Sequence, residues 1–186
     1  MAYVTADTII NKALSFVGVK ENPKGSNDVP FVRDYFNGIL PANSSETAPW
    51  CVVFGWDIFR MCGASEMFCD GAKVGSCSKV LKWAAGAGLI VGKDQIRRGD
   101  ILLFDWEKDK TPDHFGFATG PASSGKVPTI EGNTDDQVAE RSRPLTDVGY
   151  VVRPRYLQPE GSTYPSTEQL RKVYDYLKST YDIIKE

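Results

Sequence analysis

Histidine is nearly absent from this chain: among 186 residues there is one, His114. Any mechanism that needs an imidazole base must use it. Zinc is disfavoured by the same scarcity, because Cys62, Cys69 and Cys77 stand seven and eight residues apart and no C-x₂-C pair replaces the missing histidines. A basic excess is also missing. With 22 Lys+Arg against 24 Asp+Glu and a formal net charge of −2, nucleic acid is not an expected partner. No apolar run approaches the roughly 20 residues that cross a bilayer, so no membrane span is expected. The opening Met1-Ala2-Tyr3-Val4-Thr5-Ala6-Asp7 has neither a basic region nor a long apolar one. Synthesis in a reducing cytoplasm without a signal peptide is the expectation. The four cysteines then read as thiols and not as two disulfides. G-x-S-x-G and the phosphate-binding G-x₄-G-K-[ST] do not occur, and no internal repeat is visible.

What is present suits a globular domain: 41% apolar and 25% charged residues. Thr5 precedes Ile10, Ala13, Leu14 and Val17 at helical spacing, closed by Gly18. Residues 20–27 are polar and read as a loop; Phe31, Tyr35 and Phe36 suggest a short amphipathic helix. Pro49 introduces a helix from Trp50 to Met61 whose only charges are Asp57 and Arg60, so it should be the buried central one. Ser76 can cap a further helix through Val80, Leu81 and Ala84. After Gly99 the period changes to short runs at 101–104, 115–118, 127–130, 137–141 and 150–152, an expected antiparallel meander. Helices followed by strands predict an α+β class, with N-terminal helices on a sheet of roughly five strands. The expected divisions are a catalytic domain at 1–157, a linker at 158–168 and an amphipathic C-terminal helix at 169–186. That helix carries Leu170, Val173, Tyr174, Leu177, Tyr181 and Ile184 on one face, suited to docking, to self-association or to leading into a further module.

Four residues are candidates for chemistry, and each is unremarkable alone. Cys51 opens the central helix, where unpaired N–H groups favour a thiolate, yet a free cysteine in an apolar helix also reads as a small hydrophobe. His114 at a strand entrance reads equally as a surface residue. Glu131 and Asn133 read as a solvated strand end and a turn former. Trp50, Trp106, Tyr35 and Phe36 suit either a substrate groove or core packing. Ser26-Asn27-Asp28 and the run of Asp105, Glu107, Asp109 and Asp113 offer oxygens to calcium, but without the D-x-D-x-D-G pattern a solvated acidic loop is the better reading, and no cofactor is expected.

Jointly the segments carry more. Pro49-Trp50-Cys51, Gly99-Asp100-Ile101-Leu102-Leu103-Phe104-Asp105-Trp106, Asp113-His114-Phe115-Gly116 and Ile130-Glu131-Gly132-Asn133-Thr134 follow one another in that order. Together they resemble the CHAP family (cysteine, histidine-dependent amidohydrolases/peptidases), kin of the NlpC/P60 peptidases in the papain-like superfamily. The resemblance runs from about Glu21 to Pro154. It implies a papain-like, NlpC/P60-like fold and Cys51 as nucleophile, with His114 as base. Glu131 is the implied residue orienting the imidazole, and Asn133 a nearby alternative. It further implies an oxyanion met by the Cys51 backbone N–H and one more donor; Trp50 stands where some relatives carry glutamine and has an indole N–H to offer. The implied substrate is bacterial peptidoglycan, cut as an N-acetylmuramoyl-L-alanine amidase or endopeptidase, in the manner of a phage endolysin acting at the cell wall. The competing expectation is a non-catalytic wall-binding or phage structural domain.

Overall fold

In a computed structural model of the chain, residues 4–38 and 49–156 are described. The expected linker and C-terminal helix lie outside them, as does any self-association through that helix. Helix α1 (Ala6–Leu14) starts at Thr5, whose hydroxyl accepts from the Thr8 N–H while Thr8 returns the bond, a reciprocal cap that satisfies amides otherwise left open. Its buried face is Ile9, Ile10 and Ala13. Helix α2 (Pro30–Tyr35) has proline in its first turn, where the missing N–H costs nothing, and buries Phe31 and Val32. Helix α3 (Cys51–Met61) is the central helix. Residues 51–55 and 57–59 of it are buried. Among these is Asp57, paired with Arg60 at 2.5 Å. Helix α4 (Cys77–Gly86) follows two short 3₁₀ turns.

The strands are β1 (Ile90–Val91), β2 (Ile101–Phe104), β3 (His114–Ala118), β4 (Lys126–Glu131), β5 (Ala139–Pro144) and β6 (Val148–Val152). They form one antiparallel sheet in the order β1-β6-β2-β3-β4-β5. The sheet therefore has six strands where about five were expected. The extra one is the two-residue β1, which pairs Ile90 with Val152 and is too short to show a period. β2 to β5 form the expected meander, and β6 returns to lie beside β2.

Alternation along the strands divides the apolar residues between two faces. Ile101, Leu103, Phe115, Phe117 and Ile130 join the main core with Phe54, Ile58 and Phe59 of α3. Leu102, Phe104, Ala118, Val127, Val148 and Val151 form a second core. Each of the buried Val, Leu, Ile and Phe side chains contributes roughly 1.5–3 kcal/mol of apolar transfer. Contact between α3 and β3 is close because Gly55 faces Phe115: a Cβ there would sit 2.5 Å from the ring's Cε1. Helix and strand are thereby held at a spacing that a larger residue would open.

Candidate active site

Cys51 is the first residue of α3, with Trp50 preceding it as N-cap. First-turn amides have no acceptor within their own helix, so the thiol sits where partial positive charge collects. His114 is the first residue of β3 and stands at the end of the sheet, opposite Phe104 on β2. The ladder that pairs Phe117 with Ile130 and Ala118 with Thr129 brings Gly116 opposite Glu131, so His114 and Glu131 share a face as diagonal neighbours. Gly116 provides the room: a Cβ at that position would lie 2.8 Å from Glu131 Cγ.

The three side chains form one interacting row. Glu131 Oε2 accepts from His114 Nε2 at 3.0 Å. With Nε2 so engaged, the other ring nitrogen is the one left for Cys51, whose thiol interacts with the imidazole. All three are largely buried, Cys51 at 7%, His114 at 6% and Glu131 at 0% exposure. Glu131 is further held by Thr129 Oγ1 at 2.5 Å and by Arg143 through Nε at 2.9 Å and Nη2 at 2.6 Å.

The electrostatics follow from these contacts. The Cys51 thiol is held well below its ordinary range: a hydrogen bond from Cys77 contributes most, burial opposes it, and His114 and the Val52 N–H add to the lowering. Cys77, the first residue of α4, is pushed far up by the same contact, with burial adding, so it remains a thiol and donates. Burial works against the His114 cation, yet Cys51 and Glu131 on its two sides raise it to about 9. Burial likewise favours a neutral Glu131, but the donors His114, Arg143 and Thr129 bring it down to about 2. The directions of these shifts favour a row of alternating charge: Arg143 cation, Glu131 carboxylate, His114 imidazolium, Cys51 thiolate.

Trp106 stacks on the imidazole, with ring centroids 5.3 Å apart and planes 19° from parallel, and is 44% exposed. Its backbone N–H is fixed by Asp113 Oδ2 at 2.6 Å. Asp105 and Asp109 accept in the same way from the N–H groups of Lys110 and Thr111, so three of the loop's four acids brace their own backbone. Among the described residues no group of three or more His, Cys, Asp or Glu is disposed to hold a metal ion. A groove of about 350 Å³ is lined by Tyr35, Phe36, Pro49, Val53 and Lys79. Pro49 and Val53 bracket Cys51 in the chain, and Tyr35 and Phe36 both line this groove and pack on the core.

One sequence candidate is engaged away from the reacting groups. Trp50 is fully buried, and its indole N–H donates to Glu21 Oε1 at 2.7 Å, so it is not a free oxyanion donor. Its position is structural. Glu21 also accepts from the Asn27 N–H at 2.9 Å and so ties the 20–27 loop to the start of α3. Glu131 is the residue that holds His114 Nε2, and Asn133, two residues on, takes a left-handed turn conformation (φ 57°). Residues that sequence reasoning missed are Cys77, Arg143, Thr129 and Glu21. Only the strand alternation Arg141-Ser142-Arg143 offered a signal, and it also fits a solvated edge strand.

No curated protein and no solved structure matches the chain. The helices and six-stranded antiparallel sheet form an α+β arrangement consistent with the papain-like CHAP domain. The model of the CHAP domain family matches residues 43–133, a segment containing Cys51, His114 and Glu131, and this match supports placing the chain in the CHAP family.

Proposed function

We propose that the protein hydrolyses an amide bond of bacterial peptidoglycan with Cys51 as nucleophile. The CHAP match implies peptidoglycan hydrolase or amidase/peptidase activity in general, and the buried thiol–imidazole–carboxylate row is the observation that carries the specific reading. In the resting site the thiolate–imidazolium pair is already formed, so no proton transfer precedes attack. The Cys51 sulfur adds to the amide carbonyl, and the first-turn N–H groups of α3 face the developing oxyanion. His114 passes its proton to the departing amine, leaving a thioester and a neutral imidazole. That imidazole takes a proton from water, which cleaves the thioester, releases the carboxylic acid and restores the ion pair. Glu131 holds the ring orientation and supports the cation throughout.

The finer reading is a phage-type endolysin acting at the cell wall, either an N-acetylmuramoyl-L-alanine amidase or an endopeptidase. The sequence motifs around Cys51, His114 and Glu131 and the groove beside Pro49 and Val53 support it. Purified protein incubated with peptidoglycan, with mass spectrometry of the released muropeptides, tests both levels. New amine and carboxyl termini from the native protein and none from Cys51→Ala support hydrolysis, and their masses name the bond. Equal behaviour of the two proteins refutes it and favours a wall-binding domain.

A further inference from the structure

We propose that Arg143 is the positioning residue of this site, its planar guanidinium locking the Glu131 carboxylate in the orientation that meets His114. The proposal rests on the hydrolase reading for its functional meaning but concerns a geometry that can be tested without substrate. Arg143 lies on β5, beyond the segment that the family model matches.

A carboxylate offers about four lone-pair directions. Here all four are used: His114 Nε2 at 3.0 Å and Arg143 Nη2 at 2.6 Å on Oε2, Thr129 Oγ1 at 2.5 Å and Arg143 Nε at 2.9 Å on Oε1. Two of the four come from one rigid fork, which fixes the carboxylate plane as well as its place. The guanidinium is itself anchored. Nη2 also donates to the buried Thr134 Oγ1 at 3.1 Å, and its carbon lies 5.8 Å from the Phe104 ring and 5.6 Å from the Trp106 ring. Trp106 in turn covers the imidazole. One side chain therefore touches both groups that fix the ring, the carboxylate at its edge and the indole on its face.

Charged and titratable groups face the row from several packed elements. Cys51 and Cys77 come from α3 and α4, His114 from β3 with Asp113 before it, and Glu131 from β4. Arg143 itself is faced by Glu131, Asp135 and Asp147. With the guanidinium present the row sums to zero; without it the site carries one net negative charge and a less constrained Glu131. Both changes make the thiolate harder to form, so they move its protonation in the same direction, to higher pH.

The test is the pH dependence of Cys51 alkylation by iodoacetamide, read by mass spectrometry at the Cys51 peptide. Arg143→Met should move the acid limb upward by about one pH unit, a tenfold loss of reactivity at fixed pH on the limb. Arg143→Lys, which keeps the charge but not the fork, should recover only about half of that shift. In a Glu131→Gln background, adding Arg143→Met should move the limb by only about half a unit, the part due to the lost charge, because the carboxylate to be positioned is gone. If Arg143→Met does not fold, Arg143→Lys measured in the native and in the Glu131→Gln background carries the test alone: it should move the limb by about half a unit in the first and less in the second. A limb unmoved in Arg143→Met, full recovery by lysine, or an equal shift in both backgrounds overturns the proposal. Peptidoglycan turnover is measured in parallel. Loss of turnover in the native protein with the alkylation pattern intact refutes the hydrolase reading and leaves the positioning role standing.

Discussion

Replacing Glu131 with glutamine removes one negative charge from the centre of the row while keeping a carbonyl that can accept from His114 Nε2. The carboxyl is lowered from 4.5 to about 2, a difference of about 2.5 units. At roughly 1.4 kcal/mol per unit this amounts to about 3 kcal/mol of folding free energy, with no solvent discount because the side chain is fully buried. Its folded value is depressed, so this stability is present above about pH 4.5 and lost as pH falls toward 2. Glu131→Gln never has it. At pH 7 the variant should therefore unfold about 3 kcal/mol more easily, or roughly 10 °C lower in Tm for a domain of this size. Arg143, with 24% of its side chain exposed, keeps access to water and limits the additional cost of losing its partner. Between pH 6 and pH 3 the native protein should lose about 2 kcal/mol more than the variant, the rest being lost only as pH falls through 2. The imidazolium loses its carboxylate as well, so the alkaline limb of kcat/KM should fall by about one unit or more from its native place near 9. Urea denaturation at the two pH values and a kcat/KM profile from roughly pH 5 to 10 measure both effects. Parallel acid destabilisation in the two proteins, together with an unmoved alkaline limb, would refute the reasoning.

Other perturbations separate the remaining contacts. Cys77→Ala removes the hydrogen-bond donor that contributes most to the low Cys51 value, so the acid limb of Cys51 alkylation should move to higher pH with the alkaline limb in place. An unchanged limb contradicts that role. Gly116→Ala puts a Cβ within 2.8 Å of Glu131 Cγ; it should cost about 1–3 kcal/mol in denaturant unfolding and lower the His114 titration as Glu131 is displaced. Trp50→Phe keeps an aromatic ring, though a smaller one, but strips the indole donor from buried Glu21, and should cost at least about 1–3 kcal/mol by the same measurement.

The parts of the fold that were legible in the sequence are those with a strong local cause. The Trp50–Met61 helix is recognisable because its apolar residues run nearly all round, and β2 and β3 because four or five buried residues follow turn formers. β5 was less so: Ala139-Glu140-Arg141-Ser142-Arg143-Pro144 is polar, lies at the sheet edge and was expected two residues earlier. β1 has no period to detect. Within the site, Cys51, His114 and Glu131 stood out as a set of residue types in a particular order. Cys77 and Arg143 did not, because their importance comes from register and helix placement across 26 and 12 residues of chain from Cys51 and Glu131. Trp50 was misjudged for a related reason. An indole N–H next to a nucleophile suggests a site donor, and only the packing of the 20–27 loop reveals that Glu21 already holds it.

Since His114 is the sole histidine, its ring resonances need no assignment, and their titration by long-range proton–nitrogen correlation reports directly on the ion pair. In the native protein both ring nitrogens should stay protonated through neutral pH and titrate near 9, and Cys51→Ala should move that value down by about one unit or more as the thiolate disappears. An imidazole that titrates near 6.5 in both proteins would contradict the thiolate–imidazolium pair on which the proposed chemistry stands.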